Sequence, residues 1–259
     1  MKKYLSVILI ILMLLSMLFS FGGCEEAVDE IVGENEELIE DPVQYYEEVV
    51  LKEYAKYNEG VSISFNKWTG TLKVSGRGKL YGFFPRELDA KVRNVNWSIK
   101  YIEVDKGIEL IDDSFNYCYG LKEVRFPKMK MVNCAFRGCN ELKKVDASNV
   151  SGLIESFDQC SALEEVKFDN AERAFLDCDS LHTAIGVGER IVGSFGWCDA
   201  LETVRLDRIK YANNSFGACP KLKVIDCGEE EYTPEELVEI FVDPSYEDSD
   251  YGDVAANTA

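Results

Sequence analysis

The residues best placed for chemistry are nine cysteines, six of which recur in register. These six are Cys118, Cys139, Cys160, Cys178, Cys198 and Cys219, and the others are Cys24, Cys134 and Cys227. Thiolate metal sites need Cys-x-x-Cys pairs or mixed Cys/His sets. No Cys-x-x-Cys occurs, and the single histidine, His182, excludes a multi-histidine site and paired-His catalysis. No metal and no cofactor are therefore expected. A spacing of about 20 residues instead puts one Cys at the same point of each repeating unit. Stacked there, each acts as a small buried hydrophobe in an inward ladder. Disulfides between adjacent units remain open as an alternative, because stacked Cα atoms fall within bonding range.

The remaining catalytic candidates are weak. His182 has no Gly-x-Ser-x-Gly or Cys partner in sequence and reads as an exposed strand residue. Asp112-Asp113 and Glu164-Glu165 are paired carboxylates, but nothing sets the separation that glycoside hydrolysis requires. Gly76-Arg77-Gly78 falls in an expected hairpin, not between a strand and a helix, so it is no phosphate loop. The chain is not expected to be an enzyme.

The elements that position these residues form an array. The pattern is (Ser/Ala)-Phe-x-x-Cys-x-x-Leu-x-x-Val, first at Ser114-Phe115, Cys118, Leu121 and Val124. It returns at Phe136, Phe157, Phe175, Phe195 and Phe216, with Phe spacings of 21, 21, 18, 20 and 21. Four residues before each Phe lies another apolar or small residue: Ile111, Val132, Leu153, Ala171, Ile191 and Ala212. Each unit is expected to hold one short strand at Leu-x-x-Val-x-(Phe/Leu), a turn, and a tight coil carrying the Phe and Cys. A unit this short cannot bury its own apolar residues, so the units must stack around one continuous core. The fourth unit is irregular. It has lost three residues, carries Ala184 where others have Val or Ile, and brings in Gly186 and Gly188.

This pattern closely resembles the BspA-like leucine-rich repeats of bacterial surface proteins. Trp68-Thr69-Gly70-Thr71-Leu72-Lys73-Val74-Ser75-Gly76-Arg77-Gly78 resembles the hairpin that opens such arrays, and Trp97 and Ile102 to Ile108 continue the likeness. The resemblance spans 61–228. It implies an α/β-type solenoid of irregular leucine-rich repeats, with short parallel strands, tight coils, a β-hairpin cap and a C-terminal helical cap. It also implies a binding module for a protein or polysaccharide on a bacterial surface.

The formal charge of −19 is confined to the flanks. Residues 25–51 hold 11 acids and no base, 224–259 hold 12 acids and no base, and 52–223 are nearly balanced. A pI near 4.5 argues against nucleic acid. Lys2-Lys3 precede an apolar run from Tyr4 to Phe21, the order of an export signal. Phe21-Gly22-Gly23-Cys24 resembles a lipoprotein lipobox, which implies cleavage before Cys24, its lipidation, and a membrane-anchored chain. An uncleaved anchor, or plain secretion, are the alternatives.

The expected organisation is a signal peptide (1–23), an acidic tether with an amphipathic helix after Asp41-Pro42 (24–60), and an N-terminal β cap (61–101). The solenoid (102–228), a capping helix opened by the capping box at Thr233-Pro234-Glu235-Glu236 (229–243) and an acidic tail (244–259) follow. The helix stripe is Leu237, Ile240 and Phe241. The tail is expected to be disordered and the chain monomeric.

Charges on the expected strands alternate between neighbours, as at Arg125, Asp146 and Lys167. Such columns describe either a self-neutralising face or a mixed-charge face for a protein partner. The uncharged fourth rung, His182, Thr183 and Ile185, interrupts them. With Trp197, Tyr117 and Tyr119 at coil positions, it is the candidate contact patch. An alternative role is an envelope spacer with no discrete ligand.

Overall fold

The computed structural model describes residues 58–82 and 98–242, all within one compact unit. The signal segment, Cys24, the tether helix, Trp97 and the acidic tail lie outside the described residues.

The chain enters through an antiparallel hairpin, β1 (Val61–Asn66) with β2 (Thr71–Gly76), and continues into β3 (Gly78–Tyr81). Gly76 makes the corner between β2 and β3 at φ 109°, and a Cβ there would lie 2.1 Å from the Gly60 carbonyl oxygen. Only glycine permits that turn. Each later unit supplies two short strands rather than the expected one. They are β4 (Tyr101–Val104) with β5 (Ile108–Asp112), then β6 (Glu123–Arg125) with β7 (Met131–Asn133). Next come β8 (Lys144–Ala147) with β9 (Leu153–Ile154), and β10 (Glu165–Phe168) with β11 (Ala171–Glu172). The last pairs are β12 (Thr183–Gly186) with β13 (Arg190–Val192), and β14 (Thr203–Leu206) with β15 (Tyr211–Asn213).

The first strands of the units stack in parallel as one sheet, interrupted between β6 and β8. The second strands stack as another, from β3 to β15. The result is a parallel β-solenoid whose repeats use turns and coils where larger leucine-rich repeats place helices. The first sheet turns Leu72, Ile102, Val124, Val145, Val166, Ala184, Val204 and Ile225 into the core. The residues four before each Phe, buried or nearly so, are the inward residues of the second sheet.

The coils form the third side. Six Phe rings stack along the axis, with centroids 5.0–5.6 Å apart. Every one of these Phe residues is left-handed, as are the residues two before and two after it, for example Asp113, Phe115 and Tyr117 at φ 44°, 63° and 62°. The alternation turns successive N–H groups in opposite axial directions. Cys134 and Gly138 donate to the next coil, at Ile154 and Asp158, while Phe136 donates back to Ser114. Coil backbone groups are thus paired without a regular strand. Left-handed non-glycine residues cost of order 1 kcal/mol each, so the stacked rings must hold them there.

The array closes with β16 (Ile225–Asp226) against antiparallel β17 (Glu231–Tyr232), then α1 (Pro234–Ile240). Thr233 accepts from the Glu236 N–H and Glu236 reaches back to the Thr233 N–H, as the capping box requires. Leu237 is buried and Phe241 packs edge-on against Tyr232, but Ile240 is 57% exposed. The helix is two turns long, so its apolar stripe is narrower than its sequence.

The irregular fourth unit follows a shortened corner, two residues between β10 and β11 against five between β8 and β9. Asn170 bridges that corner. Its amide donates to the Ser151 carbonyl (2.9 Å), and its oxygen accepts from the N–H groups of Glu189 and Arg190 (2.9 and 3.0 Å). Asn170→Ala is expected to cost about 1–2 kcal/mol, most of three partly exposed hydrogen bonds. Urea unfolding would check this, and a midpoint shift within error would remove the bridging role.

Candidate functional site

The outward face of the first sheet is built by register. Asp146, Lys167, Ile185, Arg205 and Asp226 form one column, and Lys144, Glu165, Thr183 and Thr203 another. Much of the charge is consumed within this face. Lys143 pairs with Glu164 (2.7 Å), Lys144 with Glu165 (2.9 Å) and Lys73 with Asp105 (3.5 Å). Arg125 and Arg205 instead turn to carboxylates two residues away, Glu123 (2.6 Å) and Asp207 (2.8 Å). Exposed pairs of this kind are worth only about 0–1 kcal/mol each. They fix side chains more than they stabilise the sheet.

His182, Thr183 and Ile185 share the β12 rung, where the paired charges stop. The His182 Nδ1 lies 3.0 Å from the Thr183 Oγ1. Trp197 is elsewhere. It sits on the coil edge, two residues after Phe195, 50% exposed and left-handed at φ 56°. Tyr117 holds the same position four coils earlier, about 19 Å away at the spacing of neighbouring strands. Tyr117 and Tyr119 face each other at 6.0 Å, and a Cβ on Gly138 would lie 2.8 Å from the Tyr117 ring. The six candidate residues therefore divide into a sheet rung, a lone indole and a tyrosine pair.

The six ladder cysteines are buried and unbridged. From the second onward, each thiol donates to the Phe carbonyl of the preceding coil. Cys139 reaches Phe115 (3.5 Å), Cys160, Cys178 and Cys198 reach Phe136, Phe157 and Phe175 (3.2 Å each), and Cys219 reaches Phe195 (2.8 Å). The thiol thus satisfies the one carbonyl that the left-handed Phe turns inward. Burial pushes Cys118 up to about 12 and raises Cys139 and Cys178 as well. These are structural thiols, not nucleophiles. Cys134 and Cys227, half-buried, also stand near 11, chiefly through burial and then the carboxylates of Glu155 and Asp226 respectively. In native protein, iodoacetamide is expected to label Cys134 and Cys227 first and the six ladder thiols only on unfolding. Mass measurement after denaturation without reductant should find all eight described cysteines alkylated; a deficit in pairs would reveal disulfides.

Sequence reasoning missed Asp158. It follows Phe157, and its Oδ1 accepts the Leu176 N–H of the next coil (3.2 Å). Asn116 does the same for Arg137 (2.8 Å) one residue after Phe115. Burial raises Asp158 to about 7, against the Leu176 hydrogen bond and Arg137, which lower it. The other repeats carry Arg, Leu, Gly and Gly at this position, so no periodic signal marked it.

A family model described as a BspA type leucine rich repeat region matches residues 93–191 in six copies. Over those residues the array is similar to BspA-type leucine-rich repeats. The same coil geometry extends the array beyond the matched stretch, through Phe195, Phe216 and Cys219. No curated protein matches the chain. Among solved structures, a leucine-rich repeat protein from Eubacterium ventriosum aligns at 10% identity, over 64% of this chain and 76% of that one, with a TM-score of 0.24. Among the described residues, no His, Cys, Asp and Glu group could hold a metal ion, and no helix is long and apolar enough to cross a membrane.

Proposed function

We propose that this BspA-type chain is an exported interaction module, anchored through lipid on Cys24, whose solenoid presents a rigid surface to a protein or glycan outside a bacterial membrane. The observation that carries the reading is the β12 rung. It presents exposed His182 and half-buried Thr183 and Ile185 beside a rung whose Glu164 and Glu165 are already paired with Lys143 and Lys144, so the rung itself holds no ion pair to break. Trp197, apart from this rung on the coil edge, offers a second, half-exposed side chain. Among the described residues the interior is filled by stacked Phe, Leu and Cys side chains, which supports a non-enzymatic reading.

Capture from envelope material tests it. Saturable retention of a partner by the wild type, lost in Thr183→Lys/Ile185→Lys, supports the module. Absence of any saturable partner supports the second reading, a spacer, which the self-paired charges of Lys143–Glu164 and Lys144–Glu165 favour. Fatty-acid labelling of wild type and Cys24→Ala tests the anchor; equal absence of label would remove it.

A further inference from the structure

The hairpin cap differs from the rest of the array. Residues 61–82 carry Lys67, Lys73, Arg77 and Lys79 and no acid, in a chain of net charge −19. At the hairpin tip stands Trp68, 89% exposed, the most exposed large apolar side chain among the described residues. The Lys67 ammonium lies 5.7 Å from its ring centre.

The tip is ordered. Asn66 Oδ1 accepts from the N–H groups of Trp68 (3.0 Å) and Thr69 (3.3 Å), and the Asn66 carbonyl accepts from Gly70 (2.8 Å). Gly70, at φ 69°, lets the next coil close in, since a Cβ there would meet Lys100 at 2.8 Å. That contact sets Lys100 and the 39% exposed Tyr101 beside the tip, with the Thr69 and Thr71 hydroxyls 2.9 Å apart on its edge. Lys73 stands on the solvent face of β2 in a long, exposed pair with Asp105 (3.5 Å), which a second carboxylate can share at little cost, and Arg77 and Lys79 follow past its end.

We propose that this cap binds an anionic polysaccharide, one bearing uronate or phosphate groups, with a sugar ring on Trp68 and its acid groups along Lys67, Lys73 and Arg77. The inference rests on the module reading above and names the ligand chemistry for a surface separate from the β12 rung. Three features favour this partner. A flat indole beside an ammonium offers a stacking face and a counter-charge within one residue. Hydroxyls and an amide on the same turn suit a polyhydroxylated chain. Lys67 precedes β2, Lys73 stands on it and Arg77 follows it, so the cations span about 20 Å at strand rise, which fits an extended polymer. A bilayer would want several apolar side chains inserted together, and here Trp68 stands among hydroxyls with only the partly exposed Tyr101 beside it.

Calorimetric titration of the full chain with a size-defined oligogalacturonate tests it. Saturable binding is expected, weakened about fivefold in Trp68→Ala through the lost stacking face. Lys67→Gln/Lys73→Gln/Arg77→Gln should weaken it about tenfold and flatten its salt dependence. Lys128→Gln/Lys130→Gln, a charge loss elsewhere, should leave it unchanged, as should Thr183→Lys/Ile185→Lys. Melting temperatures within error of wild type confirm folding. No binding, equal loss in the Lys128/Lys130 control, or indifference to Trp68→Ala overturns the proposal. So does a Trp68-dependent gain on anionic vesicles with none on the oligosaccharide, which would make the cap a lipid contact. Loss of envelope capture with intact oligosaccharide binding fails the β12 reading alone.

Discussion

Phe157→Ala is expected to cost about 4 kcal/mol, in the range for removing a fully buried aromatic and leaving a cavity. The Phe157 ring lies between two others, 5.0 Å from Phe136 at 5° and 5.6 Å from Phe175 at 13°. Phe126 closes its edge at 6.2 Å. Both neighbours are in turn held by further rings, so the cavity cannot collapse from one side. The backbone adds to the loss, because Phe157 is left-handed at φ 64° and alanine brings no ring to hold it there. Phe216 has one stacking partner, Phe195 at 5.5 Å, and closes the stack. Phe216→Ala should therefore cost about half as much. A solenoid is stabilised by contacts between neighbours, so a break in its middle uncouples two halves. Urea unfolding of Phe157→Ala should show a lower midpoint and a broader transition, and Phe216→Ala a lower midpoint alone. Equal costs at the two positions would mean that the stack does not carry the coupling.

The same stack shows what the sequence could reveal. Phe, Cys, Leu and Val recur because each must fill the same volume in every coil, and packing tolerates few substitutes. The solenoid, its strand register and the capping box were legible for that reason. The second sheet was not. Several of its strands offer a single inward residue, such as Ala171 or Ala212, and strands of two or three residues show no alternation to read. The left-handed coil positions were invisible as well. Phe, Glu and Arg have no preference for positive φ, so Phe157, Glu155 and Arg173 are held there by the neighbouring coils and not by local propensity. Trp197, Tyr117 and Tyr119 read as one patch because a repeat pattern gives the column of a residue but weighs poorly the distance along the axis. Trp68 was legible as part of the opening hairpin, yet its exposure depends on the turn at Asn66 and on Lys100, which arrives from the next coil.

Asp158→Asn is expected to stabilise the protein at neutral pH and to do nothing at pH 4. In the unfolded chain an aspartate titrates near 3.9, whereas in the folded coil burial raises Asp158 to about 7. Between those values the folded state holds a proton that the unfolded state has released. Stability is then complete below about pH 4 and falls as pH rises, until the folded carboxyl also ionises near 7. A shift of this size corresponds to about 2–4 kcal/mol once partial solvent contact is allowed for. Asparagine keeps the oxygen that accepts from Leu176 and removes the titration. Asn116 shows that the site accepts it, since its oxygen takes the Arg137 N–H while its amide donates to the Cys134 carbonyl (2.9 Å). The Arg173 carbonyl stands at the repeat position of the Cys134 carbonyl, two residues before the next Phe, and only a protonated carboxyl or an asparagine amide has a proton to offer it. Thermal or urea unfolding of wild type and Asp158→Asn from pH 4 to 8 should give coincident stabilities at the acid end and a gap that widens to about pH 7, then levels. A gap independent of pH would place the effect in the hydrogen bond rather than the proton. Wild type more stable than Asp158→Asn at neutral pH, by a margin that closes toward acid, would mean that Asp158 is an ionised carboxylate, held by Arg137 and by the Leu176 N–H.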